Sequence, residues 1–181
     1  MTTELQIQKL DKAFDQLDVS SNGELDRDDL IALGSRLILG FGQSPTSAKG
    51  KEILDGYDLF WQELARTADA DGSGSLSPAE FREAMIAAYI EGSRFDTTFL
   101  PLAQSVAKLS DTNGDGQIGR PEFGTLQSAF GTPSPDIDAA FAALDRSGSG
   151  QISVDDLVHA AREYYTSPDP QAPGNLLFGP L

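Results

Sequence analysis

The chain has 181 residues, no cysteine, and 13 basic against 28 acidic side chains, for a formal net charge of −15. That balance repels nucleic-acid backbones and anionic membrane surfaces, and the missing thiols exclude a disulfide framework, a thiolate metal site and a cysteine nucleophile. With 39% hydrophobic residues and ten Phe, there is enough apolar material for a real core in one domain or two.

The start, Met1-Thr2-Thr3-Glu4-Leu5-Gln6, has neither the basic region nor the apolar run of a secretory signal. No segment approaches the roughly 20 apolar residues that span a bilayer, so a cytoplasmic location is expected. Leu10, Phe14 and Leu17 recur at helical spacing and predict a first amphipathic helix. It runs into an oxygen-rich segment, 18–29, centred on Gly23. Leu30, Leu33, Leu37 and Ile38 resume the helical stripe until Gly40-Phe41-Gly42-Gln43-Ser44-Pro45 breaks it. Ile53, Leu54, Tyr57, Phe60, Trp61 and Leu64 predict a third helix, and a second oxygen-rich segment, 69–80, follows. Phe81, Met85, Ile86 and Tyr89 then lead to a break at Gly92-Ser93.

The second half repeats the plan. Phe95, Phe99, Leu102, Val106 and Leu109 form a stripe in which Pro101 is placed to bend or begin the helix. Segment 111–122 comes next, with Phe123, Leu126 and Phe130 behind it. Gly131-Thr132-Pro133-Ser134-Pro135 connects to Ile137, Phe141 and Leu144, then to segment 145–156, then to Leu157, Val158, Ala161 and Tyr164. Eight helices are predicted. Pro168, Pro170 and Pro173 make the ending a poor helix, yet Leu176, Leu177 and Phe178 form an apolar cluster expected to dock over the core.

The four oxygen-rich segments share one grammar, and it resembles the twelve-residue EF-hand calcium loop. In that loop, oxygen side chains at positions 1, 3 and 5, a Gly at 6, a backbone carbonyl at 7 and a carboxylate at 12 surround one hard cation. The third loop supplies Asp111, Asn113, Asp115, the Gln117 carbonyl and Glu122, matching every specified position. The second supplies Asp69, Asp71, Ser73, the Ser75 carbonyl and Glu80, with a hydroxyl where the strict pattern has Asp or Asn. Ser77, Pro78 and Glu80 also suit a helix start, so Glu80 can serve as cap and ligand. The first supplies Asp18, Ser20, Asn22, the Glu24 carbonyl and Asp29, with Asp26 at position 9 as a possible helper. The fourth supplies Asp145, Ser147, Ser149, the Gln151 carbonyl and Asp156. The first and fourth loops end in Asp, one methylene shorter than Glu, which reaches a cation less easily with both oxygens. Weaker Ca²⁺ binding, or a move toward six-coordinate Mg²⁺, is expected there.

Position 8 of each loop is apolar: Leu25, Leu76, Ile118 and Ile152. Such residues suit a short antiparallel bridge between the first and second loops and between the third and fourth. The predicted fold is therefore all-α: four helix-loop-helix units in two pairs, packed as one compact globule. The pairs are expected at 1–92 and 93–166, with 167–181 as the docking tail.

With these loops, the entry Phe14-Asp15-Gln16-Leu17-Asp18 and the ending Pro173-Gly174-Asn175-Leu176-Leu177-Phe178-Gly179, the chain resembles calerythrin and the sarcoplasmic calcium-binding proteins over nearly its whole length. The resemblance implies a compact globule that buffers calcium, binds some Mg²⁺, and uses the first loop despite Asp29 at its close. The expected role is an intracellular buffer or carrier, monomeric, with calcium ions as its partners and with no nucleic acid or membrane partner. A calcium sensor acting on a protein partner is the alternative. Only two Met occur, whereas sensors commonly expose a Met-rich groove. A luciferin-type ligand-binding protein is a third reading of weaker support. His159 has no partner His or Cys, Trp61 is read as core packing, and no nucleophile has a candidate base, so no enzyme is expected.

Overall fold

The computed structural model describes residues 1–68 and 71–181, and within them the chain is mainly helical. Helix α1 (Glu4–Leu17) is followed by strand β1 (Leu25–Asp26) and α2 (Arg27–Gly40). Then come α3 (Ala48–Ala68), β2 (Ser75–Leu76) and α4 (Pro78–Met85). The second half holds α5 (Leu100–Ser110), β3 (Gln117–Gly119), α6 (Arg120–Ala129), α7 (Ser134–Leu144), β4 (Gln151–Ser153) and α8 (Val154–Thr166).

Local chemistry sets the helix starts. Thr3 with Gln6, Asp26 with Asp29, and Ser77 with Glu80 form reciprocal capping boxes at α1, α2 and α4, each satisfying amide donors that would otherwise lack partners. Pro lies in the first turn of α4, α5, α6 and α7, where its missing N–H costs no helical hydrogen bond. Pro101 thus begins α5. Two features escaped periodicity: π-helical turns at Ile86–Ile90 and Phe95–Phe99 carry the chain through the break at Gly92-Ser93.

Both strand pairs are antiparallel, with Leu25 opposite Leu76 and Ile118 opposite Ile152. All four of these side chains are buried, so each loop pair is pinned to the core from its centre. Helix α3, the longest at 21 residues, packs against α2, α4 and α5, while α2 meets α6 and α1 meets α8. The two halves therefore share one core. At its middle, Phe99 lies 5.3 Å from Phe60 and 4.7 Å from Tyr165, ring centre to ring centre. No described helix is long and apolar enough to cross a membrane.

The ending packs on this core with Leu177 and Phe178 buried. It includes one 3-10 turn, Pro173–Leu176, a short helical element in a stretch read from its prolines as non-helical; Pro173 is tolerated because it occupies the first turn. Its polar anchorage comes from α1 and α6. Lys9 Nζ donates to the Glu163 and Ser167 carbonyls and to Asn175 Oδ1, at 3.1, 2.8 and 2.8 Å. Lys12 Nζ donates to the carbonyls of Phe178 and Pro180, and Gln127 Nε2 to that of Leu177. Burial draws the Lys9 amine down to about 8, opposed by the charge of Glu163. Gly174 allows the closest approach, since a Cβ there would lie 2.5 Å from Glu163 Cβ and 2.6 Å from the Ala160 carbonyl oxygen.

Candidate metal centres

Each candidate loop leaves one helix, turns through glycine, crosses a strand and enters the next helix. Gly23, Gly74, Gly116 and Gly150, at position 6, have φ of 81°, 80°, 79° and 82°. That left-handed turn costs a side-chain-bearing residue strain that glycine avoids. The turn aims the glycine amide back at the first ligand. Gly23, Gly116 and Gly150 donate at 2.9, 2.9 and 2.8 Å to one carboxylate oxygen of Asp18, Asp111 and Asp145. One oxygen thus fixes the side chain, and the other faces the loop.

In the third loop that second oxygen is informative. Asp111 is 8% exposed, and its Oδ1 is buried with no hydrogen-bond partner. A buried acceptor left unpaired costs free energy, and a hard cation supplies the missing interaction. Around it, Asn113 Oδ1 accepts from the Asp115 amide at 3.2 Å, and Asp115 Oδ1 accepts from the Gln117 amide at 2.8 Å. Glu122 closes the loop, its Oε1 accepting from Thr112 Oγ1 at 2.8 Å and its Oε2 from the Gly119 amide at 3.3 Å. These are contacts that a bidentate ligand can exchange for an ion. The role of Thr112 was not read from the sequence, because position 2 has no assigned ligand function.

The first loop is closed in a similar way. Asp29 is 3% exposed; its Oδ1 accepts from the Ser20 amide at 2.9 Å and its Oδ2 from the Asp26 amide at 3.1 Å. Asp26 caps α2 by accepting from the Asp29 amide. Asn22 Oδ1 accepts from the Glu24 amide at 3.0 Å, and Ser20 Oγ donates to Asp18.

In the second loop, Asp69 lies outside the described residues. Asp71 Oδ1 accepts from the Ser73 amide, and Ser73 Oγ donates to the Ser75 carbonyl at 3.0 Å. Glu80 Oε2 accepts from the Ser77 amide at 2.8 Å, placing the expected closing ligand in its capping role. Ser75 Oγ also donates to Glu24 Oε2 at 3.0 Å, a cross-link between the first two loops that the sequence did not reveal.

The fourth loop differs. Asp145 Oδ1 gathers the Ser147 hydroxyl and the Ser149 amide, and Ser149 Oγ donates to the Gln151 carbonyl. The Asp156 amide donates to Ser153 Oγ, but the Asp156 carboxylate is exposed and joins no reciprocal cap. Asp26, Ser77 and Gly119 each offer an amide to a closing carboxylate; the Ser153 amide does not. Nearby, His159 is exposed and pairs with Glu163 Oε1 at 3.0 Å. Trp61 packs in the core.

Among the described residues, no three His, Cys, Asp or Glu side chains converge closely enough to hold a metal by themselves. That agrees with a ligand set in which hydroxyl, amide and backbone oxygens complete the shell and the last carboxylate swings in.

The EF hand family model matches residues 66–86, 110–127 and 137–159, which contain the second, third and fourth loops. A sarcoplasmic calcium-binding protein of Scylla paramamosain is 32% identical over 178 residues, covering 91% of this chain and 89% of its own. Calerythrin of Saccharopolyspora erythraea is 29% identical over 168 residues, covering 91% and 94%. Among solved structures, a Streptomyces coelicolor calcium-binding protein, described for prokaryotic calcium-mediated regulation, superposes with a TM-score of 0.76 at 27% identity, covering 91% of this chain and 99% of its own. The coelenterazine-binding protein of Renilla muelleri superposes with a TM-score of 0.70 at 19% identity, covering 99% and 100%, a likeness of fold alone.

Proposed function

The chain belongs to the sarcoplasmic calcium-binding proteins, and on that premise we propose that it is an intracellular Ca²⁺ buffer or carrier whose shape changes little with loading. It is read as two loop pairs, 1–92 and 93–166, closed by the tail 167–181. The observation that carries the calcium reading is the unpartnered Asp111 Oδ1, buried at the first position of a complete ligand series. Without metal, the carboxylates gathered in each loop repel one another; an ion removes that repulsion, orders the loop and aligns its two helices. Loops one and four, ending in Asp29 and Asp156, are proposed to exchange Mg²⁺ for Ca²⁺.

Support for a buffer comes from the tail. Leu177 and Phe178 cover apolar surface that a sensor would present to a partner, and Lys9, Lys12 and Gln127 hold that cover by hydrogen bonds. The S. coelicolor relative, associated with calcium-mediated regulation, supports a sensor as the second reading. A calorimetric Ca²⁺ titration with and without millimolar Mg²⁺, paired with binding of an apolar fluorescent dye, separates the two. A buffer takes up Ca²⁺ with an unchanged dye signal, Mg²⁺ competing at part of the sites. A calcium-dependent rise in dye binding overturns the buffer in favour of the sensor.

A further inference from the structure

Position 2 of the calcium loop supplies no ligand, and in the first, second and fourth loops its side chain carries no hydroxyl: Val19, Ala70 and Arg146. In the third loop it is Thr112, exposed to solvent, and its hydroxyl donates to Glu122 Oε1 at 2.8 Å. Hydrogen bonds to an ionised carboxylate are stronger than neutral ones. The other oxygen, Oε2, accepts from the Gly119 amide at 3.3 Å, a longer contact. The closing carboxylate is therefore held most firmly at Oε1, and by a side chain. In the first loop the equivalent hold is all backbone, Asp29 accepting from the Ser20 and Asp26 amides.

This hold opposes loading. Ca²⁺ takes both oxygens of the last Glu into its shell, whereas Mg²⁺ is smaller, keeps several of its waters and needs no second carboxylate oxygen from the same residue. The buried, unpartnered Asp111 Oδ1 marks one wall of the site, and among the described residues no three acidic or imidazole side chains converge there. Glu122 therefore has to move inward before both of its oxygens can bind, and that movement breaks the bond from Thr112. Binding through Oε2 alone leaves Oε1 on the threonine. Resting on the assignment of the third loop as a calcium site, we propose that Thr112 is a positioning residue that restrains Glu122 in the unloaded loop. It weakens and slows Ca²⁺ binding there, leaves Mg²⁺ binding nearly untouched, and so narrows the preference of that loop for Ca²⁺ over Mg²⁺.

The test compares the parent chain, Thr112→Val and Thr112→Ser in calorimetric titrations with Ca²⁺ and, separately, with Mg²⁺, and in stopped-flow mixing with Ca²⁺. The loop-three phase is the one that Glu122→Gln removes from the parent. Thr112→Val keeps the shape, drops the hydroxyl and repeats the residue that the first loop carries at this position. It should raise loop-three Ca²⁺ affinity about fivefold, the worth of one ordinary hydrogen bond, while Mg²⁺ affinity stays within about twofold of the parent. The gain should appear in the association rate, with dissociation unchanged. Thr112→Ser, which restores the hydroxyl, should return the rate and both affinities to parental values. If Thr112 merely stiffened the loop, Thr112→Val would weaken Ca²⁺ binding through faster dissociation; that result overturns the proposal, as does an unchanged Ca²⁺ affinity or an equal gain for both ions. Should Glu122→Gln remove no phase from the parent, the calcium assignment falls and the restraint with it. A phase that Glu122→Gln removes and Thr112→Val leaves unmoved sinks the restraint alone.

Discussion

Loops three and four are partners across one strand pair, with Ile118 facing Ile152, yet their ligand chemistry is unequal. Both fix the first Asp through the position-6 glycine amide, at 2.9 and 2.8 Å. At the other end, Glu122 folds back over its loop through Thr112 and Gly119, whereas Asp156 stands exposed at the start of α8. The same backbone frame therefore carries a nearly complete shell on one side and an open one on the other. Loop geometry comes from glycine and the strand; metal grip comes from the reach of the last carboxylate.

Both loops rest on one intact core, and the largest disturbance is to unfold that core with alkali. All four tyrosines of the chain, Tyr57, Tyr89, Tyr164 and Tyr165, are buried, and burial pushes each phenol up, Tyr89 to about 12 and the others further. A folded-state value above the unfolded 10.0 contributes stability that is whole below pH 10 and drains away as pH rises beyond it. Phenolate absorbance should stay absent at pH 10 and then appear for all four together with loss of helical signal. A normal titration of any tyrosine in the folded chain would show that the core is looser than described.

Chelator stripping acts on every loop at once. Ligand binding to the folded state alone adds about 4 kcal/mol per site when free Ca²⁺ is roughly a thousandfold above Kd, so the melting temperature should fall steeply on stripping and recover on resupply. Single substitutions then separate the partners. Glu122→Gln removes a charged oxygen from the closed loop and should weaken that site by roughly tenfold or more, losing one ion from the stoichiometry at limiting Ca²⁺. Asp156→Asn should cost much less, since the exposed carboxylate it alters takes no amide that would close its loop. The smallest effect sharpens the contrast in reverse: Asp156→Glu adds the missing methylene and should raise the loop-four affinity several-fold, read as a late calorimetric phase moving earlier.

Much of this was legible because it is written in short-range rules. The apolar stripes place the helices, Leu25, Leu76, Ile118 and Ile152 foretell the strand pairing, and the glycine turns follow from left-handed φ. The unread part depends on distant chain segments or on rotamers. Lys9 lies outside the apolar stripe that marks the first helix, and it is 1% exposed because the carbonyls of α8 and the tail converge on it. The missing bond from the Ser153 amide to Asp156 is a side-chain choice that loop spacing does not encode. A small apolar cavity beside Tyr57 arises where α3, α5, α6 and α8 meet, a volume that no local pattern carries.

A direct count of Ca²⁺ bound per chain, after chelator stripping and resupply in Mg²⁺-free buffer, tests the central claim. Parent protein should take up ions with the tightest site lost in Glu122→Gln and retained in Asp156→Asn. Uptake of no Ca²⁺, or full parental stoichiometry and affinity in Glu122→Gln, would contradict it.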